Sequence, residues 1–553
     1  MTGSRRLASS YRALSAGAMT VASVLGVCLI AQAPSQALII DDLVTMPITG
    51  SPTAAGNPGS LARVGVMREE PGGGRFFVGD LNGPLYILDK RTRAFATYLD
   101  FNGRGEKTGL FERLPYEAGY QNGFISVAFD PEYARNGIFY TIHMEEPAAK
   151  GSLIPDNTRF PGLKLTGYTP TAPVRTPGAV QREVVLIEWT DTDIRNTTFE
   201  GTARELLRIE TNTRIHPPGD LIFNPTARPG DPDWRVLYIA CGDGGSGEQQ
   251  GAMRQNPQRL DTLVGKILRI VPDLSLHART TTISENGRYR VPDDNPCVDV
   301  AGARKEIWAY GFRNPHRLTW DVDPASQQNQ LIAASIGLST WEAIYFVRKG
   351  ANYGYPAREG NQVLQADNTT APLPAVDEIP IQISDRQTRG TVVPVYPVVQ
   401  YKHAANGGDA ISGGFVYRGR LLAPLTGKFV FGDITTGKIW FAELTAMIAA
   451  DDANPVTVAP LHPLQLLWDD PRDEPNAGPT LFPTMFPVVL AAYRARGGTD
   501  PNLPGQSTVS GPGRADIRFA VDAAGELYIL SKADGMIRAV TAVTSITSQP
   551  VRN

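Results

Sequence analysis

Apolar and aromatic residues recur along this chain in runs of four to six, each bounded by a glycine-, asparagine- or aspartate-bearing turn. Gly83-Pro84-Leu85-Tyr86-Ile87-Leu88-Asp89 and Asn136-Gly137-Ile138-Phe139-Tyr140-Thr141 are early instances. Arg235-Val236-Leu237-Tyr238-Ile239-Ala240, Gly427-Lys428-Phe429-Val430-Phe431-Gly432-Asp433 and Gly525-Glu526-Leu527-Tyr528-Ile529-Leu530 carry the pattern to the C-terminal end. Such runs, rich in β-branched and aromatic residues, predict strands. Their near-continuous apolar character predicts strands buried on both faces. Long amphipathic helical patterns are scarce, and no Pro/Gly linker divides the chain into sandwich-sized pieces. A repetitive all-β fold of the β-propeller kind fits this better than a string of β-sandwiches.

Three stretches interrupt the rhythm, at about 147–181, 361–391 and 445–513, and read as surface loop insertions rich in Pro, Asp, Asn and Thr. Within the last, residues 483–495 have the pattern of a short helix. At the N-terminus, Arg5 and Arg6 precede a small, apolar run from Ala16 to Ala33, closed by Ala31-Gln32-Ala33 and Ser35-Gln36-Ala37. That is the layout of a signal peptide over residues 1–37, with secretion or periplasmic export and a mature chain starting near Leu38. An uncleaved anchor is the competing reading, because the run is nearly long enough to span a bilayer.

Composition narrows the function classes. Over 553 residues, 42% are hydrophobic and 20% charged, and the formal net charge is −3. No global basic field exists to hold nucleic acid or an anionic membrane. Cys241 and Cys297 are the cysteines beyond the leader. They leave open one disulfide, but neither has a cysteine or histidine at zinc-ligand spacing, so a hydrophobic core must carry stability.

Candidate chemistry lies in three segments. His216 stands before the strand-like Gly219-Asp220-Leu221-Ile222-Phe223, and Asp243 closes the next run in Gly242-Asp243-Gly244-Gly245. Adjacent antiparallel strands can bring Asp243 to His216, where a carboxylate fixes the imidazole tautomer; a structural histidine beside an ordinary Asp-Gly turn is the alternative. Arg313-Asn314-Pro315 forms a rigid donor pair for a polyanionic or carbonyl-rich ligand, or else an arginine that caps loop carbonyls. Asn352-Tyr353-Gly354-Tyr355-Pro356 reads as a turn, or as a source of carbonyl oxygens for a hard cation.

In order along the chain, Gln121-Asn122-Gly123-Phe124, the His216 segment, Gly242-Asp243-Gly244-Gly245, Val264-Gly265-Lys266-Ile267, Asp294-Asn295-Pro296, Arg313-Asn314, Asn352-Tyr353-Gly354-Tyr355-Pro356 and Ile411-Ser412-Gly413-Gly414 resemble the soluble quinoprotein glucose/sorbosone dehydrogenase family. The resemblance implies a six-bladed propeller of four-stranded antiparallel blades over about residues 45–545. It further implies pyrroloquinoline quinone (PQQ) and calcium at one end of the channel, a sugar substrate and an external electron acceptor. By the same resemblance His216 is the base and Asp243 its orienting carboxylate. Gln121, Arg313 and Asn314 contact the quinone, and the carbonyls of Gly337 and Leu338 face calcium.

The chain also departs from that pattern. Thr435 stands where the family places a quinone-gripping lysine. Gly513 and Ala515 stand where it places an arginine pair, with Arg514 between them. Those departures keep a second reading open, a non-catalytic propeller of the same family that binds a glycan or protein through its top face. A calcium-dependent lactonase or phosphodiesterase would need several carboxylates lining the channel, and the motifs do not supply them.

Overall fold

A computed structural model describes residues 35–49, 62–115, 121–325, 328–403, 408–474, 477–498 and 514–546. The leader up to Pro34 lies outside them. Within them the chain is built of antiparallel β-sheets, and no helix is long and apolar enough to cross a membrane.

The sheets follow chain order. Val64–Glu69, Arg75–Asp80, Pro84–Asp89 and Phe95–Asp100 make the first. Phe124–Phe129, Ile138–Glu145, Arg182–Asp191 and Gly201–Thr211 make the second, with the short Leu163–Lys164 added at its edge. Pro218–Phe223 opens the third sheet, which ends on Ile307–Tyr310, and Asn314–Val322 opens the fourth, which ends on Val399–Lys402. Three small sheets lie in connecting segments, at Thr281–Ile283 with Arg290–Pro292, at Arg358–Glu359 with Gln362–Leu364 and Thr370–Ala371, and at Ile379–Gln382 with Thr388–Val392, and the remaining strands form one sheet of nine. In it, Ile411–Val416 leads to His462–Trp468, and Ile517–Val521 leads through Met536–Ile546 to the N-terminal strand Ser35–Thr45. The two halves join where Ser35–Thr45 runs parallel to His462–Trp468 and antiparallel to Met536–Ile546.

The leading strands of these sheets touch one another in cyclic order, from Val64–Glu69 round to Ile517–Val521 and back to Val64–Glu69. The apolar runs explain why. Leu237–Cys241 and Lys266–Ile270 are buried at every position, so each sheet presents an apolar surface to both neighbours. The cores sit between successive sheets: Phe77, Leu85 and Tyr98 of the first pack with Phe124, Val185 and Trp189 of the second. The last such core joins Ala520, Leu530 and Ile537 to Val64, Phe76 and Val78, which closes the circle. The architecture is propeller-like, and the leading strands line its centre.

Of the insertions, the predicted helix forms at Met485–Ala495 and buries Val488, Val489 and Ala492. The Asn352 loop is a turn: the Asn352 side-chain oxygen accepts from Gly354 N (2.9 Å) and Gln258 Nε2 (3.0 Å), and the Tyr355 carbonyl accepts from Gln258 (2.8 Å). The Asn352 main-chain carbonyl accepts from Val395 N and the Gly354 carbonyl from the amides of Ala357 and Arg358. Cys241 and Cys297 are both buried and free.

Candidate active site

Gln121, His216 and Arg313 each lie just before a leading strand, and Asn314 is the first residue of one, so the sheet order itself carries them to one end of the central channel. Local backbone brings them close. Gly242 lies so near His216 that a Cβ there would stand 2.3 Å from the His216 carbonyl oxygen, and Gly244 N donates to that oxygen at 3.0 Å. His216 adopts φ +52°, a left-handed conformation uncommon for a residue with a side chain. A strained residue held in place this firmly points to a site.

His216 Nδ1 stands 2.7 Å from Asp243 Oδ1. Asp243 is fully buried and accepts further from the amides of Gly245 (2.8 Å) and Gly247 (2.9 Å). A carboxylate only accepts, so Nδ1 carries the hydrogen and a neutral imidazole presents Nε2 as a lone pair. Glu248 Oε1 lies 3.7 Å from Nε2, beyond hydrogen-bond reach, and the same oxygen pairs with Arg313 Nη2. Burial opposes the charge on Arg313, but Glu248 outweighs it and holds the guanidinium pKa above its usual value.

Arg313 also donates from Nη1 to the carbonyls of Gly337 (2.5 Å) and Ile336 (3.3 Å), and its own carbonyl accepts from Asp243 N (2.7 Å). Arg313 therefore caps loop carbonyls, one of the two roles read for it, and its other terminal nitrogen is paired with Glu248. Leu338 N donates to Glu359 at 2.7 Å, as do the next three amides. Gln121 Nε2 reaches the Gly219 carbonyl at 3.4 Å, three residues past His216. Asn314 is buried with Oδ1 lacking a hydrogen-bond partner, and Tyr355, whose hydroxyl is likewise unpartnered, packs against Gly247.

One layer deeper, Arg317 donates to the carbonyls of Gly65 (2.7 Å), Gly219 (2.7 Å) and His316 (2.9 Å). It ties three leading strands together. Asp220 lies at the same level, accepting from Arg68 (2.8 Å) and Ser126 (3.1 Å). His316 is fully enclosed with neither ring nitrogen bonded; burial first, then Arg317, Arg518 and Lys532, keep it neutral. On the far wall, Arg514 Nη1 donates to Thr435 Oγ1 at 3.0 Å, so a guanidinium stands beside the threonine where the expected lysine is missing. Tyr355 lies in the segment singled out from sequence, whereas Glu248 and Lys532 were not singled out; a glutamate five residues past Asp243 in a glycine-rich turn is the signal that could have marked Glu248.

Comparisons with known proteins bear on the family and the fold. The sequence profile of the family described as Glucose / Sorbosone dehydrogenase matches residues 75–455. HIPL1 protein of Arabidopsis thaliana is 23% identical over 408 residues, covering 69% of this chain and 52% of that protein. Aldose sugar dehydrogenase YliI of Escherichia coli is 31% identical over 160 residues, 29% of this chain and 33% of that one. The chain thus spans about half or less of the curated relatives it matches. A crystal structure of glucose dehydrogenase superposes with a TM-score of 0.51 at 16% identity, covering 91% of this chain and 99% of that one. At that identity the likeness speaks to the fold.

Proposed function

The chain belongs to the glucose/sorbosone dehydrogenase family, and on that premise we propose that it oxidises a hydroxyl of an aldose or related sugar at the mouth of its channel. The observation that carries this is the His216–Asp243 pair at 2.7 Å, with the second ring nitrogen turned toward the side where Arg313 and Glu248 lie. Asp243 holds the proton on Nδ1, and His216 takes the sugar hydroxyl proton at Nε2. Asp243 also stabilises the imidazolium that results.

The oxidation needs an acceptor for two electrons. PQQ supplies that chemistry when bound, and an external electron acceptor is the partner it requires. The residues present fit such a group: Gln121 and Arg313 offer donors, and Asn314 Oδ1 and the Tyr355 hydroxyl are buried polar atoms without partners. Such atoms are costly unless something satisfies them. Calcium is not part of this proposal. The Gly337 carbonyl, one of the two expected to face calcium, accepts from Arg313, whose charge would repel a cation there.

The architecture we propose is six four-stranded blades around one channel. The cyclic contact of the leading strands and the cores between successive sheets support it. For exported material we propose a mature N-terminus at Leu38. That cut removes Ser35, Gln36 and Ala37 from the joining strand, and Leu38 and Ile39 keep its pairing with both His462–Trp468 and Met536–Ile546. Edman sequencing of secreted protein is expected to read Leu38 first; a start beyond Ile40, which is buried, would contradict it.

A second reading, a non-catalytic propeller binding a glycan or protein through the same face, is favoured by one observation: Glu248 already occupies Arg313. Under the enzyme reading Glu248 is an internal counter-ion that an incoming carboxylated ligand displaces. Glu248→Gln is then expected to tighten PQQ binding about tenfold, the loss of one charge-assisted competitor. A spectral titration showing weaker or unchanged binding would favour the second reading.

A further inference from the structure

We propose that the end of the channel opposite His216 holds a second ligand site, a cavity that takes an apolar carboxylate. The leading strands begin at the mouth, and the cavity lies where three of them finish, at Glu69, Phe129 and Phe223. From His216 to Phe223 an extended chain runs roughly 20 Å, so the two sites are separate. The cavity measures about 410 Å³, which is the size of a small-molecule pocket.

Its walls are mostly apolar, with Phe129, Ile222, Phe223, Pro225 and Trp234 among them. Phe129 and Ile222 are only half-buried within strands that are otherwise buried, so their apolar surface stays open here. Trp234 is set in place by strained neighbours. Arg235 adopts φ +55° and donates to Asp130 (2.8 Å) and Asp273 (3.0 Å). His277, at φ +52°, donates from Nε2 to the Trp234 carbonyl at 2.7 Å. Two residues with side chains held in the left-handed region around one tryptophan are costly to the fold, and such strain collects at ligand sites.

The polar groups of the wall decide the chemistry of the ligand. Both carboxylates there are satisfied by the protein. Glu69 accepts from Lys90 Nζ (2.9 Å) and Ala523 N (2.6 Å). Asp130 accepts from Glu132 N (2.9 Å), Asn136 Nδ2 (2.9 Å) and Arg235 Nε (2.8 Å). Asn224 is likewise engaged, by Asp233, Thr226 and Asn329. The donors are not used up. Arg68 is bonded through Nη2 alone, to Asp220 at 2.8 Å. Arg228 donates from Nη1 to the Pro225 (3.0 Å) and Ala227 (2.9 Å) carbonyls. Asp231 accepts from its main-chain amide at 2.8 Å, and no described carboxylate pairs with its guanidinium. What the wall leaves open is therefore donors, on two guanidiniums beside an apolar surface. A planar carboxylate matches a guanidinium edge with two charge-assisted bonds, and an apolar body fills the rest of the cavity.

The probes are 2-naphthoate, an apolar carboxylate, and 2-naphthol, its neutral counterpart. In calorimetric titration of the purified chain, wild type is expected to bind 2-naphthoate at one equivalent, more weakly as salt is raised. It is expected to bind 2-naphthol about tenfold more weakly or worse. Arg228 is exposed, so its replacement leaves the fold intact. Arg228→Gln is expected to weaken 2-naphthoate binding about tenfold and Arg228→Glu to abolish it, with 2-naphthol affinity held in both. Neither change should alter the quinone titration, since the mouth uses none of these residues, and the site stands whether or not PQQ binds. Equal affinity for the two probes, no binding of 2-naphthoate by wild type, or unchanged 2-naphthoate affinity in both Arg228 variants would overturn it. Displacement of 2-naphthoate by one equivalent of PQQ would place the ligand at the mouth and overturn the site as well.

Discussion

Replacing His216 with glutamine is expected to lower sugar-dependent dye reduction by about 10²–10⁴-fold, the usual contribution of a positioned general base. Glutamine keeps a polar group at the mouth but cannot take up a proton. PQQ affinity should change little, since the imidazole acts on the substrate hydroxyl, and the melting temperature should hold. Asp243→Asn tests the same pair from the other side. An amide can donate to Nδ1, which favours the tautomer with its hydrogen on Nε2 and so removes the lone pair the reaction needs. A loss comparable to that in the His216 variant is expected. A variant of either residue with wild-type turnover would place the chemistry elsewhere.

The largest effect on stability is expected at Arg208, far from the reacting atoms. It is 1% exposed in the second sheet and donates to Glu145 (2.8 Å), Glu183 (2.8 Å) and both oxygens of Glu205 (3.1 and 3.0 Å). Arg208→Met would leave carboxylates buried without their principal cation, a change costing about 3–5 kcal/mol. Chemical denaturation should show the midpoint shift. Acid exposes the same network. Burial alone would raise the Glu145 pKa, but His143 and Arg208 outweigh it and bring it to about 2, below its unfolded value. A depressed carboxylate stabilises the fold above its unfolded pKa and loses that contribution as pH falls toward 2. Stability should therefore drop between about pH 5 and 2, and less steeply in the variant. The network bears on the site because Met144, next to Glu145, donates its amide to Gly123 O at 3.0 Å, two residues from Gln121.

Strands were legible in the sequence because burial on both faces leaves a local mark: an apolar run between turns needs no knowledge of its partner. The His216–Asp243 pair was legible for a related reason, since both residues flank turns of adjacent antiparallel strands. The helix Met485–Ala495 declared itself by periodicity inside a polar insertion. Long-range side-chain geometry left no such mark. That Arg514 lands on Thr435, 79 residues away, follows from strand packing alone. The same holds for Glu248 meeting Arg313 and for Lys532 meeting Asp516. Sequence spacing made Thr435 look like a missing cation, whereas the fold brings one in from another strand. The pairing of Ser35–Thr45 with His462–Trp468 was equally invisible, because parallel partners more than 400 residues apart share no local signal. It extends the ordered sheet ten residues ahead of the boundary at 45.

The most direct test of the central claim is a single absorption experiment on purified chain titrated with PQQ and then challenged with an aldose. The account predicts a saturable change in the quinone spectrum at one equivalent, followed by conversion to the reduced spectrum when sugar is added. A spectrum that stays that of free quinone throughout, with sugar causing no reduction, would contradict it.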